Sequence, residues 1–260
     1  MFLLVRNTAG RFAWTVRAGP ARGLKFNPHG SNLGYVLGTT EPRVQRTLAE
    51  LVRPGDVVWD VGAQVGFFAA LCARLVGKAG QLYAFDPLAA NQAAIAANAR
   101  LNRFTNIRVI GCAVGETDGE IGFTESADSL LGRAEGLGEP RDTVRHFTVA
   151  CRSVDSLVEN DNLQLPNVIK IDVEGFEEFV LRGARRTIES CRPLLLIELH
   201  GTNANVRRVL KDLGYIGYVL DSGSEEIDAA AWDAHIIAAS AYDTENRERC
   251  RAVSKPTDGN

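Results

Sequence analysis

The chain contains 260 residues, 45% of them hydrophobic, and its 29 basic and 32 acidic residues leave a formal charge of −3. A chain of this length and composition folds as one large globular domain or two small ones, which excludes a protein that is disordered throughout. The small negative charge gives no general attraction to polyanions and argues against a dedicated nucleic-acid or anionic-membrane binder.

The cysteines and the N terminus indicate the compartment. The five cysteines are scattered, with no C-x-x-C pair and no zinc-ligand spacing, so neither a disulfide framework nor a structural zinc is expected. The first apolar run, Phe2–Val5, is too short for a signal peptide, and no later run reaches membrane-spanning length. The sequence therefore predicts a cytoplasmic protein that does not enter a membrane.

Residues 1–40 predict an extension in front of the main domain. Phe2–Arg6 and Phe12–Arg17 are strand-like and flank the turn-forming stretch Asn7–Gly10, and a loop rich in glycine, proline and asparagine follows. We expect a hairpin and a loop that pack on the main domain, with a partial lid as one hypothesis for their role.

Residues 41–242 alternate short apolar strands with amphipathic helices. Nearly continuous apolar strands are typical of a parallel sheet covered on both faces, because a strand buried on both sides loses the alternating pattern. The pattern predicts an α/β, Rossmann-like, doubly wound fold. The predicted strands are Val57–Val61, Gln81–Phe85, Ile107–Val114, Val168–Val173, Leu194–Leu199 and His235–Ala239. The predicted helices are Arg43–Leu51, Phe67–Val76, Asn91–Leu101, Phe176–Ile188 and Asn205–Leu213.

Two further segments look irregular. Residues 115–146 are rich in glycine and charge, which predicts a mobile insertion, and a loop of this length commonly covers an active site. Residues 243–260 are polar and predict a flexible tail.

The turn after the first core strand predicts a ligand site. The strand carries Asp60 near its end, and Gly62, Ala63 and Gly66 lead at once into a helix, as in nucleotide-binding α/β folds. The glycine spacing is G-x-x-x-G rather than the dinucleotide G-x-G-x-x-G, and the Asp60 carboxylate would repel a phosphate. A ligand with cationic groups and no phosphate, such as S-adenosylmethionine, fits this turn better.

The ends of the next two strands extend this hypothesis. Asp86 lies 20 positions after Gly66, the separation at which an acid accepts hydrogen bonds from ribose hydroxyls, and Pro87 follows it. Ala113, at the end of the third strand, is a candidate for the floor beneath an adenine. In a competing interpretation, Asp60 and Asp86 only cap helices and the glycines only form turns.

With these motifs in place, the sequence resembles the FkbM-type S-adenosylmethionine-dependent methyltransferases over about residues 40–240. The matching stretches are Glu41–Pro42, Arg53–Asp56, Asp60–Phe68, Phe85–Pro87 with Asn91 and Asn98, Val168–Glu177, Leu181–Ala184 and Arg192–Glu198. Gln64 and Asp86 depart from the family pattern, which usually has Asn and Glu there. The resemblance implies a seven-stranded sheet and methylation of a hydroxyl oxygen, often on a sugar or secondary metabolite.

Four polar residues are the catalytic candidates: Asp172, Glu174, Glu198 and His200. Asp172 lies near the end of one predicted strand and Glu198 near the end of the next, so both are expected at one sheet edge, where Asp172 is also expected to contact the cofactor. His200 or Asp172 would remove the proton of the acceptor hydroxyl. A divalent metal on Asp172, Glu198 and His200 is the less favoured hypothesis, and no metal ligand is assigned. Helix capping is the competing interpretation for Asp172 and Glu174.

We therefore predict an S-adenosylmethionine-dependent O-methyltransferase with a small hydroxylated acceptor. RNA ribose 2′-O-methylation uses the same chemistry but requires a basic groove, and nucleic acid is not expected given the charge balance. A cofactor-binding protein without turnover and an NAD oxidoreductase are two further hypotheses that compete with this prediction. The sequence identifies neither the acceptor nor the oligomeric state, and a homodimer is one of the open alternatives.

Overall fold

The computed structural model describes residues 12–29, 31–126, 132–134 and 143–256. The chain divides into two compact units, residues 1–111 and 112–260. The strands of the first unit are β1 (Trp14–Thr15), β2 (Lys25–Phe26), β3 (Val57–Val61), β4 (Gln81–Phe85) and β5 (Ile107–Ile110). Its helices are α1 (Gly34–Leu37), α2 (Pro42–Leu51), α3 (Phe67–Val76) and α4 (Ala89–Leu101).

The core of the first unit is a parallel sheet in the order β3-β4-β5. Asp60 pairs with Ala84 and Val61 with Phe85, so β3 and β4 end side by side. Helix α3 buries eight of its ten residues, as expected of a helix whose residues are almost all apolar. Three of these elements, β3, β4 and α3, have the predicted bounds.

The N-terminal extension forms a hairpin with a partner that differs from the prediction. Trp14 pairs antiparallel with Phe26, whereas Phe2–Arg6, the predicted partner strand, lies outside the described residues. Phe26 is fully buried, and its ring packs edge-on against Phe67 at 5.4 Å between centroids. Phe26 of the extension therefore packs on helix α3. The role of the extension as a lid stays a prediction.

The second unit carries strands β6 (Ala113–Val114), β7 (Gly119–Ser126), β8 (Gly132–Ala134), β9 (Thr143–Arg152), β10 (Val168–Ile171), β11 (Leu194–Glu198), β12 (Tyr215–Val219) and β13 (His235–Ser240). Its helices are α5 (Val154–Asp161), α6 (Glu177–Gly183), α7 (Arg185–Cys191), α8 (Asn203–Asp212) and α9 (Thr244–Ser254), and a short 3₁₀ turn spans Ile227–Ala229.

Four of these strands follow the order β10-β11-β13-β12, and only β13 runs antiparallel to its neighbours. With β3, β4 and β5 they supply seven strands. The predicted α/β fold class, with a seven-stranded, mostly parallel sheet and helices on both faces, is confirmed. Strand β12 was missed in the sequence because Gly217 interrupts its apolar run.

The glycine-rich insertion contains more structure than the sequence predicted. Strands β7 and β9 pair antiparallel with Ile121 opposite Val149 and Phe123 opposite Phe147, in a sheet of order β6-β9-β7-β8. Turn-forming residues hid this pairing in the sequence. Residues 127–131 and 135–142 lie outside the described part, so mobility of the insertion stays a prediction.

Three boundaries are corrections to the sequence analysis. The predicted strand over residues 107–114 is wrong, because β5 ends before Gly111 and β6 pairs with β9 in the other sheet. The predicted helix over 176–188 is broken at Ala184 into α6 and α7. Most of the predicted flexible tail is helix α9: Asp243 caps it by accepting from Asn246 N at 3.0 Å, and Cys250 is fully buried.

Candidate active site

The glycine turn after β3 is anchored to the end of β4. The backbone N–H groups of Gly62 and Ala63 both donate to the carbonyl oxygen of Phe85, at 3.1 and 3.0 Å. Gly66 N donates to Ala63 O at 2.8 Å, and α3 begins at the next residue. Gly62 and Gly66 have φ of 84° and 83°, which suits glycine. The predicted turn residues Gly62, Ala63 and Gly66 thus form one compact turn just beyond Asp60.

Gln64, at the tip of this turn, is held from two sides. It has a positive φ of 50°, which is uncommon for a residue with a side chain. Its backbone N–H donates to Asp86 Oδ2 at 3.0 Å, and its Oε1 accepts from the Tyr35 hydroxyl at 2.8 Å. Sequence reasoning assigned no role to Tyr35, because nothing in the N-terminal loop indicates a contact with residue 64.

Asp86 is a buried carboxyl, only 6% exposed, and it accepts four hydrogen bonds. Leu88 N donates to Oδ1 at 2.9 Å, Gln64 N donates to Oδ2, and the Asn91 amide donates to both oxygens at 3.1 Å. Burial raises the pKa of Asp86 to about 7; these hydrogen bonds oppose the shift, and the charge of Asp60 adds to it. A carboxylate has about four lone-pair positions, so a ribose hydroxyl would have to replace one of these donors.

The other two cofactor candidates lie in different surroundings. Pro87 follows Asp86 directly, ahead of the helix α4. Ala113 belongs to the second unit, where it is 9% exposed and pairs with Cys151. Its proposed contact with an adenine stays a prediction.

The catalytic candidates converge in the second unit. Strands β10 and β11 are parallel with Ile171 opposite Ile197, so Asp172 and Glu198 lie at the same end of the pair. His200 Nε2 lies 3.6 Å from Glu198 Oε1, 3.8 Å from Glu174 Oε2 and 4.0 Å from Asp172 Oδ1. The imidazole is only 6% exposed. The carboxylates of the other three predicted residues therefore surround His200 Nε2, each at a distance longer than a hydrogen bond.

Glu177 completes this group and was missed in the sequence. It is fully buried, and its Oε1 lies 2.9 Å from His200 Nδ1. Gly175 N and the Thr202 hydroxyl also donate to its carboxylate, at 2.9 and 2.8 Å. Since a carboxylate accepts, Nδ1 carries the proton and the neutral ring presents a lone pair at Nε2. Glu177 is the first of two adjacent acids at the start of α6, a position at which the helix dipole explains an acid without any further function.

The charges around His200 favour its protonated form. Burial of the ring opposes that charge, but the hydrogen bond to Glu177 and the negative charges of Glu177, Glu174 and Asp172 outweigh it and raise the pKa of His200 above its ordinary value. The ring therefore titrates at a higher pH than an exposed histidine.

Asp172 differs because it has a lysine partner. Lys170 Nζ lies 2.9 Å from Asp172 Oδ2, and its side chain is 4% exposed. Burial would raise the pKa of Asp172, but the charge and hydrogen bond of Lys170 outweigh it and lower the pKa. Lys170, predicted to be structural, therefore keeps Asp172 ionised.

The same group has the spacing of a cation site. Asp172, Glu174 and His200 can each offer one ligand atom, and these atoms lie within 4.8 Å of one another. This set contains Glu174 where the sequence analysis considered Glu198. Glu198 instead lies close to a second histidine, with its Oε2 3.3 Å from His235 Nε2.

Comparison with known proteins identifies the family. Residues 60–216 match the model of the methyltransferase FkbM domain. The chain belongs to this family. The predicted resemblance is confirmed, and the match includes the glycine turn, Asp86 and the whole group around His200.

Two relatives with similar sequences are methyltransferases. The chain is 31% identical over 160 residues to the hexuronic acid methyltransferase AglP of Haloferax volcanii, covering 62% of each chain. It is 26% identical over 215 residues to the 31-O-demethyl-FK506 methyltransferase FkbM of Streptomyces tacrolimicus, covering 72% of this chain and 82% of the relative. The chain thus spans less than two thirds of the Haloferax volcanii relative.

Among solved structures, the chain is similar to an FkbM methyltransferase from Methylobacillus flagellatus, with 19% identity and a TM-score of 0.49. The match covers 91% of this chain and 58% of that one. Within the described residues, every helix is too short or too polar to span a bilayer.

Proposed function

We propose that this methyltransferase transfers a methyl group from S-adenosylmethionine to a hydroxyl oxygen of a small molecule, a sugar or a secondary metabolite. Membership of the FkbM family supports methyl transfer. Two relatives support the acceptor class, since one is named for a hexuronic acid and the other for an O-demethylated compound.

The first unit fits such a cofactor by its chemistry. Asp60 and Asp86 are 1% and 6% exposed, and they flank the turn at which a ligand would approach the backbone of Gly62 and Gly66. Two buried carboxylates favour the ammonium and sulfonium of S-adenosylmethionine and disfavour a pyrophosphate. Asp60 would face the positively charged methionyl end of the cofactor. Asp86 would accept a hydrogen bond from a ribose hydroxyl that replaces the Asn91 amide as donor.

When bound, S-adenosylmethionine would supply an electrophilic methyl group and leave as S-adenosylhomocysteine. The chain itself must orient the acceptor and remove its proton, because an alcohol is a weak nucleophile while protonated. We assign proton removal to His200 Nε2, with Glu174 and Glu198 as hydrogen-bond acceptors for the substrate.

The contact between Glu177 and His200 carries this assignment. Glu177 fixes the tautomer in which Nε2 is the basic atom, and it stabilises the imidazolium after proton transfer, as the acid does in other acid–histidine pairs. Asp172 was the other candidate base. Its lowered pKa and its bond to Lys170 make it a weak base, so His200 is the better choice.

The test compares His200→Ala with His146→Ala, which alters a histidine of strand β9. S-Adenosylhomocysteine binding is measured by calorimetry, and methyl transfer to a panel of hydroxylated sugars and metabolites is measured by mass spectrometry. We expect His200→Ala to bind S-adenosylhomocysteine normally and to lose about 10²- to 10⁴-fold in turnover. Undiminished turnover would remove His200 from the mechanism, and no binding of S-adenosylhomocysteine to the unaltered protein would contradict the whole proposal.

RNA ribose 2′-O-methylation remains the second candidate. The carboxylates around His200 would repel the phosphates beside a ribose, and this disfavours it. Tight RNA binding that weakens steeply with salt would favour RNA over a small acceptor.

A third hypothesis is a cofactor-binding protein without turnover. Such a protein would bind S-adenosylhomocysteine yet methylate nothing in the panel.

A further inference from the structure

An exposed tryptophan lies beside the proposed base. The Trp232 indole and the His200 imidazole are nearly perpendicular, at 81°, with 5.6 Å between ring centroids. Trp232 is 57% exposed, whereas the His200 ring is 6% exposed. A large aromatic surface in water thus borders a buried catalytic candidate.

The backbone fixes this position. Leu199 N donates to Ala234 O at 2.8 Å and Gly201 N donates to Trp232 O at 2.9 Å, so the turn carrying Trp232 is bound to the segment on either side of His200. A Cβ at residue 201 would collide with Trp232 Nε1, so a glycine is needed for the indole to lie there. The backbone of this turn therefore positions the indole beside His200 although the indole surface is not buried.

The surroundings of Trp232 indicate the kind of ring that it would bind. An indole combines an apolar face with a polar edge. Three carboxylates that can accept hydrogen bonds, those of Asp172, Glu174 and Glu198, surround the neighbouring His200 Nε2. A partner that matches both features has an apolar face of C–H groups and a rim of hydroxyls, which is the chemistry of a pyranose ring.

We propose that Trp232 is the platform on which the sugar ring of the acceptor stacks, so that it selects an uncharged sugar and positions one hydroxyl near His200. This inference rests on the proposed function and deepens it by naming the acceptor class. A pyranose is about as wide as an indole, so its rim stays close to the adjacent imidazole. A nucleotide also stacks on tryptophan, but its phosphate would meet the three carboxylates, which favours the uncharged sugar.

The test uses Trp232→Ala, with Trp232→Phe as the conservative variant and Tyr242→Ala as the matched control. Tyr242 is 79% exposed and lies over the guanidinium of Arg192. Binding of methyl glycosides of the common hexoses and 6-deoxyhexoses is followed by saturation-transfer NMR with S-adenosylhomocysteine present. Methyl glucuronide and nucleoside 5′-monophosphates are included as charged rings.

We expect at least one uncharged glycoside to bind the unaltered protein through its ring C–H groups. Trp232→Ala should weaken that binding about fivefold to tenfold, Trp232→Phe should retain part of it, and Tyr242→Ala should leave it unchanged. For a glycoside that is methylated, the loss should appear in KM rather than in kcat. Cofactor binding and the melting temperature should not change, because Trp232 is largely exposed.

Equal glycoside binding by Trp232→Ala, or binding of nucleoside monophosphates or the glucuronide alone, would overturn the inference. So would the absence of binding by every glycoside in the panel. The proposed function fails separately: glycosides that bind through Trp232 but are never methylated would contradict methyl transfer and leave the platform standing. Conversely, methylation of a glycoside with an unchanged KM in Trp232→Ala would support methyl transfer and contradict the role of Trp232 as a platform.

Discussion

Glu177 Oε1 lies 2.9 Å from His200 Nδ1 although 23 positions separate the two residues in the chain. Helix α6 begins at Glu177, and β11 ends two residues before His200. The contact therefore joins the start of a helix to the end of a strand, two places where backbone geometry is fixed by the fold.

Replacing this acid should change the pH dependence of methyl transfer. In Glu177→Gln, the loss of the negative charge lowers the pKa of His200, so the acidic limb of the kcat profile should move to lower pH. The imidazolium also loses its stabilisation, so we expect kcat on the plateau to fall about 100-fold. The measurement is kcat between pH 5 and pH 9.

The matched control is the adjacent acid. Glu178 contacts Arg182 and Arg208, each through its Oε1. Glu178→Gln should leave the acidic limb in place. If both variants shift the limb equally, or neither does, Glu177 has no specific influence on the base.

Cofactor affinity should depend on pH through Asp86. Burial raises the pKa of this carboxyl to about 7, so the acid is partly neutral near pH 7 when no ligand is bound. Ribose hydroxyls that donate to Asp86 would favour its ionised form, so binding of S-adenosylhomocysteine should strengthen as pH rises through 7 and should release a proton. Calorimetry in buffers of different ionisation enthalpy measures that proton. Asp86→Asn should bind weakly and lose the pH dependence; an unchanged pH dependence would show that another group is responsible.

Metal removal separates the two interpretations of the group around His200. If His200 acts as the base, treatment with EDTA followed by desalting should leave turnover unchanged, and added Mg²⁺ or Mn²⁺ should not increase it. A divalent ion on Asp172, Glu174 and His200 would occupy the basic nitrogen. Turnover that EDTA abolishes and Mn²⁺ restores would contradict our assignment.

The hydroxyl of Tyr35 should matter for cofactor binding. Tyr35→Phe removes its hydrogen bond to Gln64, the non-glycine residue with positive φ in the glycine turn. We expect a loss of about 1 kcal/mol in the free energy of unfolding and a fewfold weaker affinity for S-adenosylhomocysteine. Denaturation and calorimetry measure the two effects, with Tyr242→Phe as an exposed control. A normal affinity would show that the turn keeps its shape without Tyr35.

The sequence predicted the elements whose pattern is local. Strands β3 and β4 and helix α3 have the expected bounds, because apolar runs ended by glycine or aspartate leave little ambiguity. The convergence of Asp172, Glu174, Glu198 and His200 was also predictable, since parallel neighbours end at one edge.

Other features depend on contacts distant in sequence. The β7–β9 pairing was hidden in a glycine-rich segment, because paired strands gain their stability from cross-strand partners that composition does not reveal. Glu177 was missed for a similar reason: its carboxylate has a role only once the fold brings His200 and Thr202 to it. Helix α9 has a polar sequence and is recognised mainly by its capping residue and its buried Cys250.

The packing of the extension bears on where the catalytic domain begins. Phe26 and Tyr35 both lie against Phe67, with ring centroids 5.4 and 4.8 Å away, and Tyr35 also reaches Gln64. A shortened chain starting at residue 41 would thus expose the first turn of α3 to water. The glycine turn before α3 would lose the hydrogen bond that Tyr35 donates to Gln64. Phe26 and Tyr35 thus support the glycine turn and the start of α3, and any gating role of the extension must be compatible with that fixed support.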